Sequence, residues 1–101
     1  MTLDQQTRSR LQTVCQRRAV RRLELFGSAA RDDFDDAHSD LDFLVEFHDL
    51  DPGTHADAYF GLLQDLESLF ERKIDLVMDR AVKNKYFREA VDQDRVVVYA
   101  A

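Results

Sequence analysis

Ser39-Asp40-Leu41-Asp42-Phe43-Leu44-Val45-Glu46-Phe47 is the stretch on which the fold depends. Leu41, Phe43, Val45 and Phe47 fall on one side of a period-two pattern, and Asp40, Asp42 and Glu46 on the other, with Leu44 as the exception. The pattern predicts a strand with an apolar back and an acidic front. Period two puts the Cβ atoms of Asp40 and Asp42 about 6–7 Å apart along the pleat. At that spacing two carboxylates can chelate one hard cation or bridge two metals. Asp33-Phe34-Asp35, Asp49-Leu50-Asp51 and Asp92-Gln93-Asp94 repeat the dipeptide spacing in or beside predicted loops, where solvated charge explains them. Asp40 and Asp42 differ because apolar alternation stands behind them.

Working outward, Leu3, Thr7, Leu11, Val14 and Cys15 recur at helical spacing and predict an amphipathic helix over 4–18. Leu23 and Leu25, bracketed by Arg22 and Glu24, alternate as a short strand ending at Phe26. Gly27-Ser28 breaks it, Ala29-Ala30-Arg31 can begin a brief helical turn, and 32–39 reads as a polar loop. Past a turn at Asp51-Pro52-Gly53, the apolar spacing from Tyr59 to Phe70 predicts a helix over 54–70, with Thr54 and Asp57 resembling a capping box. Ile74–Met78 is a third strand, Asn84–Asp92 a shorter helix, and Val96–Tyr99 a final edge strand. The order αβ(α)βαβαβ gives a small mixed α/β (α+β) sandwich, a single domain over 1–101.

Two further features bear on chemistry. Asp75 interrupts the apolar run Ile74-Asp75-Leu76-Val77-Met78, where a buried charge is costly unless it is paired or ligates metal. If the strands at 41–47 and 73–78 are neighbours, Asp75 joins Asp40 and Asp42 on one front; the alternative is an exposed face beside Lys73. Gly27 lets backbone approach a ligand, and a following helical turn aims free N–H groups at an anion, to which the Ser28 hydroxyl adds a donor.

Composition narrows the rest. The chain has 101 residues, 45% of them hydrophobic, which suits one packed core. A formal net charge of −6 disfavours nonspecific attraction to nucleic acid or an anionic membrane. No apolar run reaches the length of a membrane span, no signal peptide opens the chain, and Cys15 stands alone, so a soluble cytoplasmic protein is expected. Arg8, Arg10, Arg17, Arg18, Arg21 and Arg22 make the first segment basic, either as a solvated helix face or facing a triphosphate or acidic partner. His38, His48 and His55 lack ligand spacing and read as surface residues; Tyr59 and Tyr99 read as packing residues.

The run Gly27-Ser28-Ala29-Ala30-Arg31 … Ser39-Asp40-Leu41-Asp42-Phe43 closely resembles the signature of minimal nucleotidyltransferases, the small stand-alone members of the DNA polymerase beta superfamily. The similarity continues through Arg72-Lys73-Ile74-Asp75-Leu76-Val77 and into Tyr86-Phe87-Arg88 and Val96–Tyr99, so nearly the whole chain is covered. Two departures stand out: Asp32 replaces the usual glycine after Arg31, and the loop to Ser39 is about one residue longer than the family's pattern. The resemblance implies the polymerase-beta-like nucleotidyltransferase fold, with Gly27, Ser28, Arg31 and Ser39 on the nucleotide. It implies that Asp40 and Asp42 bind two Mg²⁺ ions, and that Asp75 ligates the catalytic one and helps activate the acceptor hydroxyl. ATP would be the substrate, AMP the transferred group and pyrophosphate the product. The family setting implies an antitoxin that modifies a tyrosine of a helical HEPN-type toxin. A partner that completes the site also suits a chain with little left over to enclose a base. Two other readings remain: a non-catalytic antitoxin that silences its toxin by binding, and a nucleotidyltransferase acting on a small molecule.

Overall fold

Alternation over 41–47 does produce a strand, β2 (Leu41–Phe47), and its two faces organise the molecule. The structure is a computed structural model that describes residues 3–27, 40–79 and 85–101. Besides β2, the sheet contains β1 (Val20–Phe26), β3 (Ile74–Met78) and β4 (Val96–Ala100), in the order β3-β2-β1-β4. β1 runs antiparallel to both β2 and β4, whereas β3 runs parallel to β2. A parallel neighbour requires a crossover, and helix α2 (Pro52–Phe70) supplies it. Helix α1 (Gln5–Arg17) lies beside α2 on the same layer, and α3 (Lys85–Asp94) precedes β4. This is the mixed α+β sheet expected from the sequence. No described helix is long and apolar enough to cross a membrane.

The core lies between the back of the sheet and α1 and α2. Leu41, Phe43, Val45 and Phe47 pack there with Leu23 and Leu25 of β1, Leu11, Val14 and Cys15 of α1, and Leu62 and Leu66 of α2. Leu44, the exception to the alternation, is buried in a second, small cluster on the front with Phe26 and partly buried Val77. The front is therefore partly apolar, and Leu44 is satisfied there.

Several boundaries differ from expectation. α2 begins at Pro52, two residues before 54, because Asp51 is the N-cap: its carboxylate accepts from the Thr54 N–H at 2.9 Å and the Thr54 hydroxyl at 3.0 Å. Pro52 at the first helical position lacks only an N–H that would be unpaired anyway. The capping box assigned to Thr54 and Asp57 is thus replaced by an Asp51 cap. His55, expected at the surface, is half-buried with its ring 5.0 Å from that of Phe47.

The N-terminal arginines resolve toward structure. Arg17 and Arg18 reach Asp65 of α2 at 3.0 and 2.7 Å, on the layer behind the sheet. Burial pushes the Asp65 carboxyl up, but the hydrogen bonds and charge of Arg18 and Arg17 hold it below its usual value. Gly61 makes the Arg18 path possible, since a Cβ there would collide with the guanidinium. Arg21 pairs with Glu46 at 3.2 Å, and Arg22 with Glu24 at 2.9 Å.

Candidate active site

Strand register brings the acidic residues together. Asp42 of β2 is the direct partner of Asp75 of β3 in the parallel ladder, and on its other side it faces Phe26 at the end of β1. Directly paired residues share a face, so Asp42 and Asp75 stand side by side on the front, opposite the core. Asp75 is exposed and Asp42 half-buried. Asp40 lies immediately before β2, just outside the regular strand, exposed, with Leu41 N–H donating to the Lys73 carbonyl at 3.3 Å. The Asp40 carboxylate Oδ2 is 4.0 Å from the Lys73 ammonium.

Gly27 completes the described part of this corner. It ends β1 with φ +71°, in the left-handed region, and a Cβ placed on it would run into the Asp42 carboxylate Oδ2, with Cγ at 3.3 Å. Only glycine combines that backbone angle with so close an approach. Ser28, Arg31 and Ser39, the other residues assigned to the nucleotide, lie outside the described residues, as do His38 and the turn expected at 29–31.

Magnesium prefers hard oxygen donors and holds to one or two carboxylates plus substrate phosphates. Neighbouring Asp42 and Asp75, with Asp40 at the strand entry, form a donor set of that kind. The residues present therefore fit the ion. Among the described residues, however, no three His, Cys, Asp or Glu side chains converge as a ready-made metal centre. A cavity of about 300 Å³ lined by Arg21, Glu46, His48, His55 and Asp79 lies at the other end of β2 and β3, away from the carboxylates.

Sequence reasoning treated two residues beside the site too lightly. Tyr59 was expected only to pack, but its hydroxyl donates to the Leu76 carbonyl on β3 at 2.6 Å. Burial, and then the Asp75 charge, raise its pKa, so Tyr59 stays a protonated donor fastening the strand that carries Asp75. Lys73 precedes Asp75 by the strand period of two, a signal visible in the sequence.

The front is closed further along by a charged clamp. Glu24 of β1 is 3% exposed and receives both Nε and Nη2 of Arg95, at 2.5 and 2.6 Å. Those hydrogen bonds hold the Glu24 carboxyl below its usual value against the opposing effect of burial. Arg88 of α3 bonds Asp79 just past β3 at 2.9 Å, so the α3 region is fastened to both β1 and β3.

Residues 8–98 match the sequence profile of the nucleotidyltransferase domain family. The chain belongs to that family. A protein of Methanocaldococcus jannaschii provisionally named protein adenylyltransferase MJ0128 is 34% identical over 79 residues, 78% of this chain and 76% of the relative. A solved structure provisionally described as a minimal nucleotidyltransferase superposes with a TM-score of 0.63 at 30% identity, over 88% of this chain and 86% of its own. At 20% identity, a chain in the complex of tri-AMPylated Shewanella oneidensis HEPN toxin with MNT antitoxin has the same fold, with a TM-score of 0.63 over 98% of this chain and 74% of that one. The expected fold and family are both borne out. In this nucleotidyltransferase domain the Asp-x-Asp strand, its parallel Asp75 neighbour and the Gly27 bend occupy one corner of the sheet.

Proposed function

We propose that this nucleotidyltransferase is Mg²⁺-dependent and moves AMP from ATP to a tyrosine hydroxyl of a helical HEPN-type partner, acting as its antitoxin. The observation that carries the reading is the register of Asp42 against Asp75 beside a glycine whose missing side chain leaves room for the Asp42 carboxylate. The names of the relatives supply the group transferred and the kind of acceptor.

In this reading Asp40 and Asp42 hold the cation-bound triphosphate, and Gly27 leaves the space in which a phosphate passes close to backbone. Ser28, Arg31 and Ser39 are assigned to the nucleotide. Asp75, the most open of the paired carboxylates, faces the acceptor side and takes part in drawing the proton from its hydroxyl. The acceptor oxygen forms a bond to the α-phosphorus as the bond to the bridging oxygen of pyrophosphate breaks, and the hydroxyl proton passes to solvent. Two Mg²⁺ ions, when bound, supply charge neutralisation at the attacking and leaving oxygens. The protein contributes position more than covalent chemistry.

The test is transfer of label from α-labelled ATP to a co-expressed partner encoded beside this chain. Asp42→Asn is expected to lower the rate by at least about 100-fold, the scale of losing a preorganised electrostatic contact. Neutralisation of the partner by Asp42→Asn with no label moved by wild type would replace catalysis with binding. A labelled small molecule formed without any protein acceptor would replace the partner.

A further inference from the structure

Lys73 stands in the site with no role in the reading above. It immediately precedes β3, and its carbonyl accepts the Leu41 N–H at 3.3 Å, which keeps it level with the entry to β2. Its ammonium lies 4.0 Å from Asp40 Oδ2, with 79% of the lysine side chain and 46% of the aspartate side chain exposed. The carboxylates do not form a ready metal centre among the described residues.

We infer that Lys73 is the resident counter-ion of the site: its ammonium neutralises Asp40 while the divalent cation is away and competes with that cation for the carboxylate. The inference rests on the reading of Asp40 as a metal ligand. In a chain of net charge −6, three carboxylates at one corner repel each other when no cation is present. A lysine suits a contact that has to release, since its point charge on a flexible stem lacks the rigid two-point grip of arginine. The contact is exposed, so it holds only weakly. It moderates the charge without locking the site shut.

The test is Mn²⁺ binding to the full, nucleotide-free chain, read by electron paramagnetic resonance or calorimetry. Lys73→Met is expected to tighten Mn²⁺ binding by about two- to five-fold, the range of an exposed ion pair. Lys73→Arg keeps a cation with a firmer grip there and should bind Mn²⁺ no more tightly than wild type. The gain from Lys73→Met should vanish in an Asp40→Asn background, and should shrink at about 1 M salt, where screening acts within about 3 Å. Unchanged or weaker Mn²⁺ binding in Lys73→Met, with Asp40→Asn still weakening it, overturns the Lys73 inference and leaves the carboxylate reading intact. Mn²⁺ binding indifferent to Asp40→Asn overturns both. Because Lys73 is so exposed, circular dichroism should show each lysine variant folded, which removes misfolding as a cause.

Discussion

Gly27→Ala tests the site through its backbone and leaves every carboxylate in place. Two effects act at once. Alanine at φ +71° meets the left-handed penalty of about 1–2 kcal/mol, partly offset by about 0.4–1 kcal/mol from a stiffer unfolded chain. The net backbone cost is about 1 kcal/mol, or a fall of about 4–8 °C in Tm for a chain of this size. The new methyl also overlaps the Asp42 carboxylate, whose Cγ and Cβ would lie at 3.3 and 3.5 Å, and the carboxylate has to withdraw by about 1 Å. A misplacement of that size costs about 100-fold in rate. The variant should therefore melt slightly early yet transfer label about 100 times more slowly. Thermal unfolding followed by circular dichroism gives the first quantity, and initial rates with α-labelled ATP give the second. Gly53→Ala is the control: it lies in the first turn of α2, its added Cβ meets nothing closer than Asp51 Oδ1 at 3.6 Å, and it should raise Tm by a few degrees at most while leaving the transfer rate unchanged. Gly27→Ala with transfer within two-fold of wild type would show that the Gly27–Asp42 approach does not matter to the chemistry.

Arg95→Met leaves the buried Glu24 carboxylate with Arg22 as its remaining close cation and should destabilise the protein by about 1–3 kcal/mol in urea titrations. In wild type the Arg95 hydrogen bonds depress the Glu24 pKa, so its contribution is fully present above the unfolded carboxyl value of 4.5 and is lost as pH falls through the lower folded value. In Arg95→Met the depression is smaller, so lowering the pH below about 4.5 should cost wild type more than the variant and narrow the stability gap between them. Ala19 has φ +58° between α1 and β1, and Ala19→Gly should raise stability by about 0.5–1 kcal/mol in the same titration. Cys15 is fully buried and its thiol is pushed up to about 12, so thiol reagents should label it only after denaturation, a difference readable by mass spectrometry.

How the sequence could be read so far follows from the range of the forces involved. The strand at Ile74–Met78 was legible to the residue, and those at 41–47 and 96–99 to within one, because alternation over 41–47 and short apolar, β-branched runs in the other two are local properties of the chain. The start of α2 was not, because Asp51, Pro52 and Gly53 serve a turn and a helix cap equally well, and only the bonds from Thr54 to Asp51 choose between them. Nor was the fate of the N-terminal arginines: Arg18 needs a space on α2, at Gly61, that no local pattern announces.

Residue order alone shows that an Asp-x-Asp pair opens a strand with one greasy side, that a glycine ends the strand before it, and that a third aspartate sits in another strand. The folded chain adds that Asp75 is the ladder partner of Asp42, that Gly27 abuts the same carboxylate, and that Lys73 lies beside Asp40. Face is set by the alternation of neighbouring residues, so one dimension suffices to find it. Adjacency between strands is set by the α2 crossover and by packing against a common core, and chain order alone does not contain it.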